Sequence, residues 1–215
     1  MYIEHFYRAR DYLTQHGLKP SVVMGSPVSE SDLKSLDGET DFPMPLELRQ
    51  FYLEMGDGFA FIPDDRETSK FVGWDPMHLA DHRISNKGFG SAIEEDASDE
   101  IDNPSPHTDP KRLTAEMERR KRWMPFYGFV GGGDVLCLDL NSTPPTVRSY
   151  QSQVWPDLPR KWDFLLAKSF TEFVERWSRF HFLSPAGSWT SFCTRNLTGQ
   201  FDWAPAHFPQ IPAKG

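Results

Sequence analysis

Cysteine is scarce. Only Cys137 and Cys193 occur among 215 residues, and Cys137 stands in an apolar run where a reduced thiol behaves as a small hydrophobe. A disulfide framework is therefore not supported, and stability must come from a buried core. Long apolar runs are also missing: no stretch approaches the roughly 20 residues of a membrane span. The N-terminal MYIEHFYRARDYL is charged and amphipathic, without the apolar centre of a secretory signal. These absences predict a soluble protein of a reducing cytoplasm, in which the sequon matches at Asn141 and Asn196 are accidental. Basic excess is lacking too. A net charge of −8 and a pI near 5.3 argue against a broad basic face for nucleic acid and fit a soluble protein or one with a basic partner.

What the chain has in quantity is aromatic surface to bury, 14% of residues with seven Trp, at a length ordinary for one domain. The densest core signal is WMPFYGFVGGGDVLCLDLN, Trp123 to Asn141. Phe126 to Val130 and Val135 to Leu140 predict two strands joined through Gly131, Gly132 and Gly133. The second arm is apolar at all positions but Asp139, so it belongs inside a sheet covered on both faces.

In chain order, Ile3, Phe6, Arg10 and Leu13 fall at helical spacing, with Gly17 as a C-terminal cap. Leu18 to Val28 is expected to be loop. Ser29 and Asp32 form a capping-box pattern ahead of Leu33 and Leu36. Pro43 and Pro45 then open a helix on which Leu48, Phe51, Tyr52 and Met55 make the buried stripe, ended by Gly56. Asp57 and Gly58 turn the chain into a strand over Phe59 to Ile62. A further short strand is expected at Phe71, Val72 and Trp74, and a helical segment from Pro76 to Ile84. Val147 to Tyr150 makes another strand after Pro144 and Pro145. Ser169 and Glu172 then cap a helix buried through Phe170, Phe173, Val174 and Trp177.

Two stretches depart from this alternation. Residues 94 to 110, EEDASDEIDNPSPHTDP, carry seven acidic residues, three prolines and no Lys or Arg, the composition of a solvated loop. Lys111 to Arg122, on an expected helix, answers with six basic residues against two acidic ones. Residues 184 to 215, rich in proline and aromatics, are expected as an irregular tail laid along the body.

Catalytic and metal motifs do not assemble. His78 and His82 are four apart, but HLADH lacks the glutamate of a zinc-protease helix and no third ligand is apparent. Ser91, in GFGSA, lacks the glycine spacing of a nucleophile elbow. Gly131 to Asp134 is followed by strand residues, whereas a phosphate loop needs a helix N-terminus behind its glycines. Asp139 in an apolar strand is better explained as a carboxylate satisfied by backbone or an Arg than as a catalytic acid. No enzyme, metal or cofactor is expected.

The ordered set of features resembles the SUKH superfamily of bacterial immunity proteins and fungal cell-wall regulators. The matching text is the Leu33 and Leu36 helix, FPMPLELRQFYLEMGDG, the WMPF and GGGDVLCLDL hairpin, Val147 and LAKSFTEFVERW, spanning about Ser29 to Trp177. The family's recurrent residues map onto Pro45, Gly58, Trp123, Gly133, Asp134, Asp139, Ser169 and Phe170, whose jobs are turns, caps and core. The resemblance implies one α+β domain over residues 1–215, with a mixed, largely antiparallel sheet flanked by helices. It also implies a protein that binds and neutralises a toxin domain, often a nuclease, with no direct nucleic-acid or membrane partner. A regulatory scaffold and an unrecognised hydrolase are the alternatives. Contact residues expected from residue type and loop position are Asp57, Trp74, Asp75, Glu94, Glu95, Asp96 and Trp155. Aromatics there would anchor and carboxylates would steer.

Overall fold

The apolar hairpin forms where the sequence places it, as β3 (Trp123–Gly128) and β4 (Asp134–Asp139), paired antiparallel with Trp123 opposite Asp139. The computed structural model of the chain describes residues 1–40, 42–65, 78–79, 110–128, 134–151, 163–184 and 201–211. The expected glycine turn at 131–133, the strand at Phe71 to Trp74 and most of residues 94–110 lie outside them. Strand β3 begins three residues earlier than the Phe126 start expected, because Trp123 and Met124 already pair with Asp139 and Leu138.

Beyond the hairpin, β5 (Thr146–Gln151) and β6 (Asp163–Ala167) complete a four-stranded antiparallel sheet in the order β3-β4-β5-β6. Strand β4 is interior, as two apolar faces require. Strand β6 was not foreseen. Its DFLLA run is five residues long and abuts a helix cap, so periodicity had too few positions to act on.

Alternation divides the sheet into two faces. Met124, Leu136, Leu138, Val147 and Phe164 lie in the core, covered by α5 (Phe170–Ser178). Phe126 meets Phe170 and Phe173 edge-on at 5.3 and 5.9 Å, and Tyr127 meets Trp177 at 6.0 Å. The opposite face carries Trp123, Cys137, Asp139 and Arg148, which the register places side by side. Its Asp139 end is met by the last turn of α4 (Pro110–Arg120), the basic helix expected after the acidic stretch.

The N-terminal half packs onto α5 from the other side. It comprises α1 (Ile3–Gln15), β1 (Ser21–Val23), α2 (Glu30–Asp37), α3 (Leu46–Met55) and β2 (Ala60–Ile62). Strands β1 and β2 pair antiparallel, so part of the expected Leu18 to Val28 loop is strand. A three-residue strand acquires its identity from its partner, and its own pattern is too short to announce it. In α1 the inner stripe takes Phe6, Ala9 and Leu13. Arg10 turns outward over the Tyr7 ring at 4.7 Å and pairs with Asp11.

Helix ends follow local chemistry. Ser29 and Asp32 make both bonds of the capping box on α2. At α5 Ser169 Oγ accepts from the Glu172 amide, but the Glu172 carboxylate reaches back to the amide of Lys168, one residue before the cap. Gly56 closes α3 with φ +83°, and a Cβ there would lie 2.6 Å from the Gly25 backbone, so both conformation and space demand glycine.

Two caps are tertiary. Glu54 of α3 accepts from the amides of Tyr2 and Ile3 at 3.0 and 2.8 Å, capping α1. Glu47, two turns earlier, accepts from the Thr171 amide at 3.0 Å in the first turn of α5. One helix thus supplies carboxylates to the N-termini of two others, where orphan donors and the helix dipole favour negative charge.

After α5 the chain reverses through His181 and Phe182, both at φ +55°. Left-handed non-glycine residues cost about 1–2 kcal/mol each. Phe182 is fully buried, stacked on Phe6 at 3.9 Å, and its burial returns about 1.5–3 kcal/mol. Of the C-terminal segment, residues 201–211 are described, and they pack on the body. Phe201 donates its amide to Leu165, and Phe208 stacks on Phe180 at 3.8 Å.

Candidate partner-binding surface

Of the expected contact residues, Asp57 is within the described residues; Trp74, Asp75, Glu94, Glu95, Asp96 and Trp155 are outside them. The Asp57 backbone bridges to Ser26, with both amide bonds at 2.8 Å. Its Oδ1 accepts from the Leu79 amide at 2.9 Å and lies 3.3 Å from His78 Nδ1. A Cβ on Gly58 would stand 2.7 Å from the His78 ring, so glycine is what lets the imidazole close over the turn. Asp57 is half-buried and holds a turn together. His78 packs on that turn, and His82, its proposed helical neighbour, lies outside the described residues.

Asp139 is buried in the sheet. Its Oδ2 accepts from Arg148 Nε at 2.9 Å and stands 3.4 Å from Arg119 Nη1. Its Oδ1 accepts from the Asn141 amide at 3.1 Å and from Asn141 Nδ2 at 2.8 Å. Both oxygens are therefore filled, as the sequence reading required of a structural acid. The Arg119, Arg120 and Arg148 guanidiniums lie 5.2, 5.7 and 5.9 Å from the Trp123 ring centre, within cation–π range. Sequence placed six basic residues on and after α4 without showing that Arg119 and Arg120 would enclose a tryptophan. Beside them, burial pushes the Cys137 thiol well above its ordinary range, which keeps it protonated and unreactive.

Among the described residues no group of His, Cys, Asp and Glu is arranged to hold a metal ion. No described helix is long and apolar enough to cross a membrane. What the described surface does offer is a groove where α1, α3 and α5 meet, lined by residues including Met1, His5, Leu53, Glu54 and Glu175. Sequence reasoning missed it. The one signal in the sequence was Leu53, an apolar residue off the Leu48, Phe51, Tyr52, Met55 stripe, and it is left 36% exposed.

No curated protein and no solved structure matches the chain. A family model described as the SMI1 / KNR4 family (SUKH-1) matches residues 27–176, a span that runs from just before α2 to the last turn of α5. The four-stranded sheet, α2, α3 and all of the covering helix but its last two residues fall inside that match, and the chain belongs to the SMI1/KNR4 (SUKH-1) family.

Proposed function

We propose that this protein is an immunity protein: it binds the toxin domain of a cognate polymorphic or contact-dependent toxin in the bacterial cytoplasm and neutralises it without turnover. The observation that carries the reading is the family match across residues 27–176. The net charge of −8 supports a basic partner, and a nuclease, which must hold a polyanion, is the toxin class that fits. The contact uses Asp57, Trp74, Asp75, Glu94, Glu95, Asp96 and Trp155, with rings as anchors and carboxylates steering approach. A fungal-type regulatory scaffold shares the same family and is distinguished by genetic neighbourhood and by the absence of a toxin partner.

The test is co-expression with the product of the adjacent reading frame. Protection of cells and a stoichiometric complex on gel filtration are expected. Failure to protect, with no complex even at low salt, would overturn the reading, and turnover of a small substrate by the purified protein would move it to an enzyme.

A further inference from the structure

The groove between α1, α3 and α5 has a volume of about 540 Å³. Its walls follow from helix spacing: Leu53 and Glu54 project from α3, and Val174 and Glu175 from α5, each set at positions that share a helix face with other lining residues. The floor is apolar, with Val174 fully buried and Leu53 and Met1 open to solvent.

The rim is anionic. Glu54 turns both carboxylate oxygens to the α1 cap, accepting from the Tyr2 and Ile3 amides. The Glu175 carboxylate accepts no hydrogen bond and joins no ion pair among the described residues; the bond at that residue is accepted by its backbone carbonyl. Burial raises the Tyr2 phenol above its ordinary value against the opposing hydrogen bond with Thr171, and the carboxylates of Glu47, Glu54 and Glu175 add to the rise. The nearby bases do not cancel the charge of the rim. Burial and Arg8 lower His5 below its ordinary value, so it is neutral at pH 7, and Arg8 points to solvent beside Glu4.

We propose that this groove receives a cationic segment of a partner protein. A Lys or Arg lays its aliphatic stem on Leu53 and brings its head to Glu175 and Glu54. That side-chain chemistry matches the surface, because long basic residues combine an apolar stem with a charged tip and make charge-assisted bonds to carboxylates. An acidic segment would meet like charge. A second copy docked through the same face would set Glu54 and Glu175 against their own equivalents.

The identity of the partner rests on the immunity reading, but the groove can be tested apart from it. The probe is a capped peptide of alternating leucine and lysine, titrated into isotope-labelled protein, with the glutamate version as control. The expected result is amide shifts confined to residues around Leu53, Thr171 and Glu175, little response to the control, and binding weakened at least tenfold by Glu175→Lys and several-fold by Leu53→Ser. Both side chains are exposed, so unchanged melting of the variants checks that the fold is kept. Shifts elsewhere, no shifts, equal binding of the acidic peptide, or undiminished binding by the variants would each overturn the proposal. With the adjacent toxin in hand, the same variants separate the two ideas. A wild-type complex that both substitutions leave intact removes the groove and keeps the immunity reading. Peptide binding at the groove without any toxin complex removes the immunity reading and keeps the groove.

Discussion

At the scale of single residues, buried charge and buried sulfur set the expectations. Asp139→Asn keeps shape but leaves the Arg148 and Arg119 guanidiniums facing a neutral amide. Breaking a fully buried pair costs about 3–5 kcal/mol. Both arginines reach partial solvent, so a loss of about 2 kcal/mol is expected in urea denaturation, with partner binding retained. Binding lost at unchanged stability would make the aspartate a site residue. Cys137 carries a pH signature. Its folded pKa lies above the unfolded value near 9.0, so above that pH the unfolded chain releases the thiol proton while the folded chain holds it. Stability is therefore full below about pH 9 and declines as pH rises beyond it. Cys137→Ala should flatten that alkaline decline in paired melting curves. The sequence already marked both residues by what surrounds them, a carboxylate and a thiol in an apolar strand. Which arginines answered the carboxylate could not be read, because Arg119 is 20 residues away and Arg148 is on the next strand.

At the scale of elements, caps and turns carry the testable energies. Ser169→Ala removes the acceptor of the Glu172 amide and should cost about 1 kcal/mol in thermal melts, with binding intact. Gly56→Ala forces a side chain into φ +83° against the Gly25 backbone. Strain of this kind costs about 1–3 kcal/mol, and a stabilised variant would show that α3 can end another way. These caps were legible because a cap is a local event: its donor and acceptor are three residues apart. The helices with long stripes, α1, α3 and α5, were legible for the same reason. The short strands were not. Ser21–Val23 and Asp163–Ala167 have three and five residues, and pairing with distant segments decides them. The capping of α1 and α5 by Glu54 and Glu47 lay equally out of reach, since those bonds join residues 51 or more apart in sequence.

At the scale of the whole molecule, charge governs association. If the immunity reading holds, reversing Glu94, Glu95 and Asp96 to Lys should slow association with the toxin about tenfold at low salt and flatten its salt dependence, measured by stopped-flow. An unchanged rate would place the steering charge elsewhere, with Glu54 and Glu175 the next residues to reverse. The sequence by itself determined the α+β class, the interior position of Val135 to Leu138 and the family, because each follows from local pattern or from the order of motifs along the chain. The tertiary structure alone decided which arginines enclose Trp123, which carboxylates cap which helices, and that α1, α3 and α5 leave a groove between them. Those outcomes depend on side chains brought together from remote positions, and a periodicity of two or 3.6 residues says which way a side chain points without saying what it will meet.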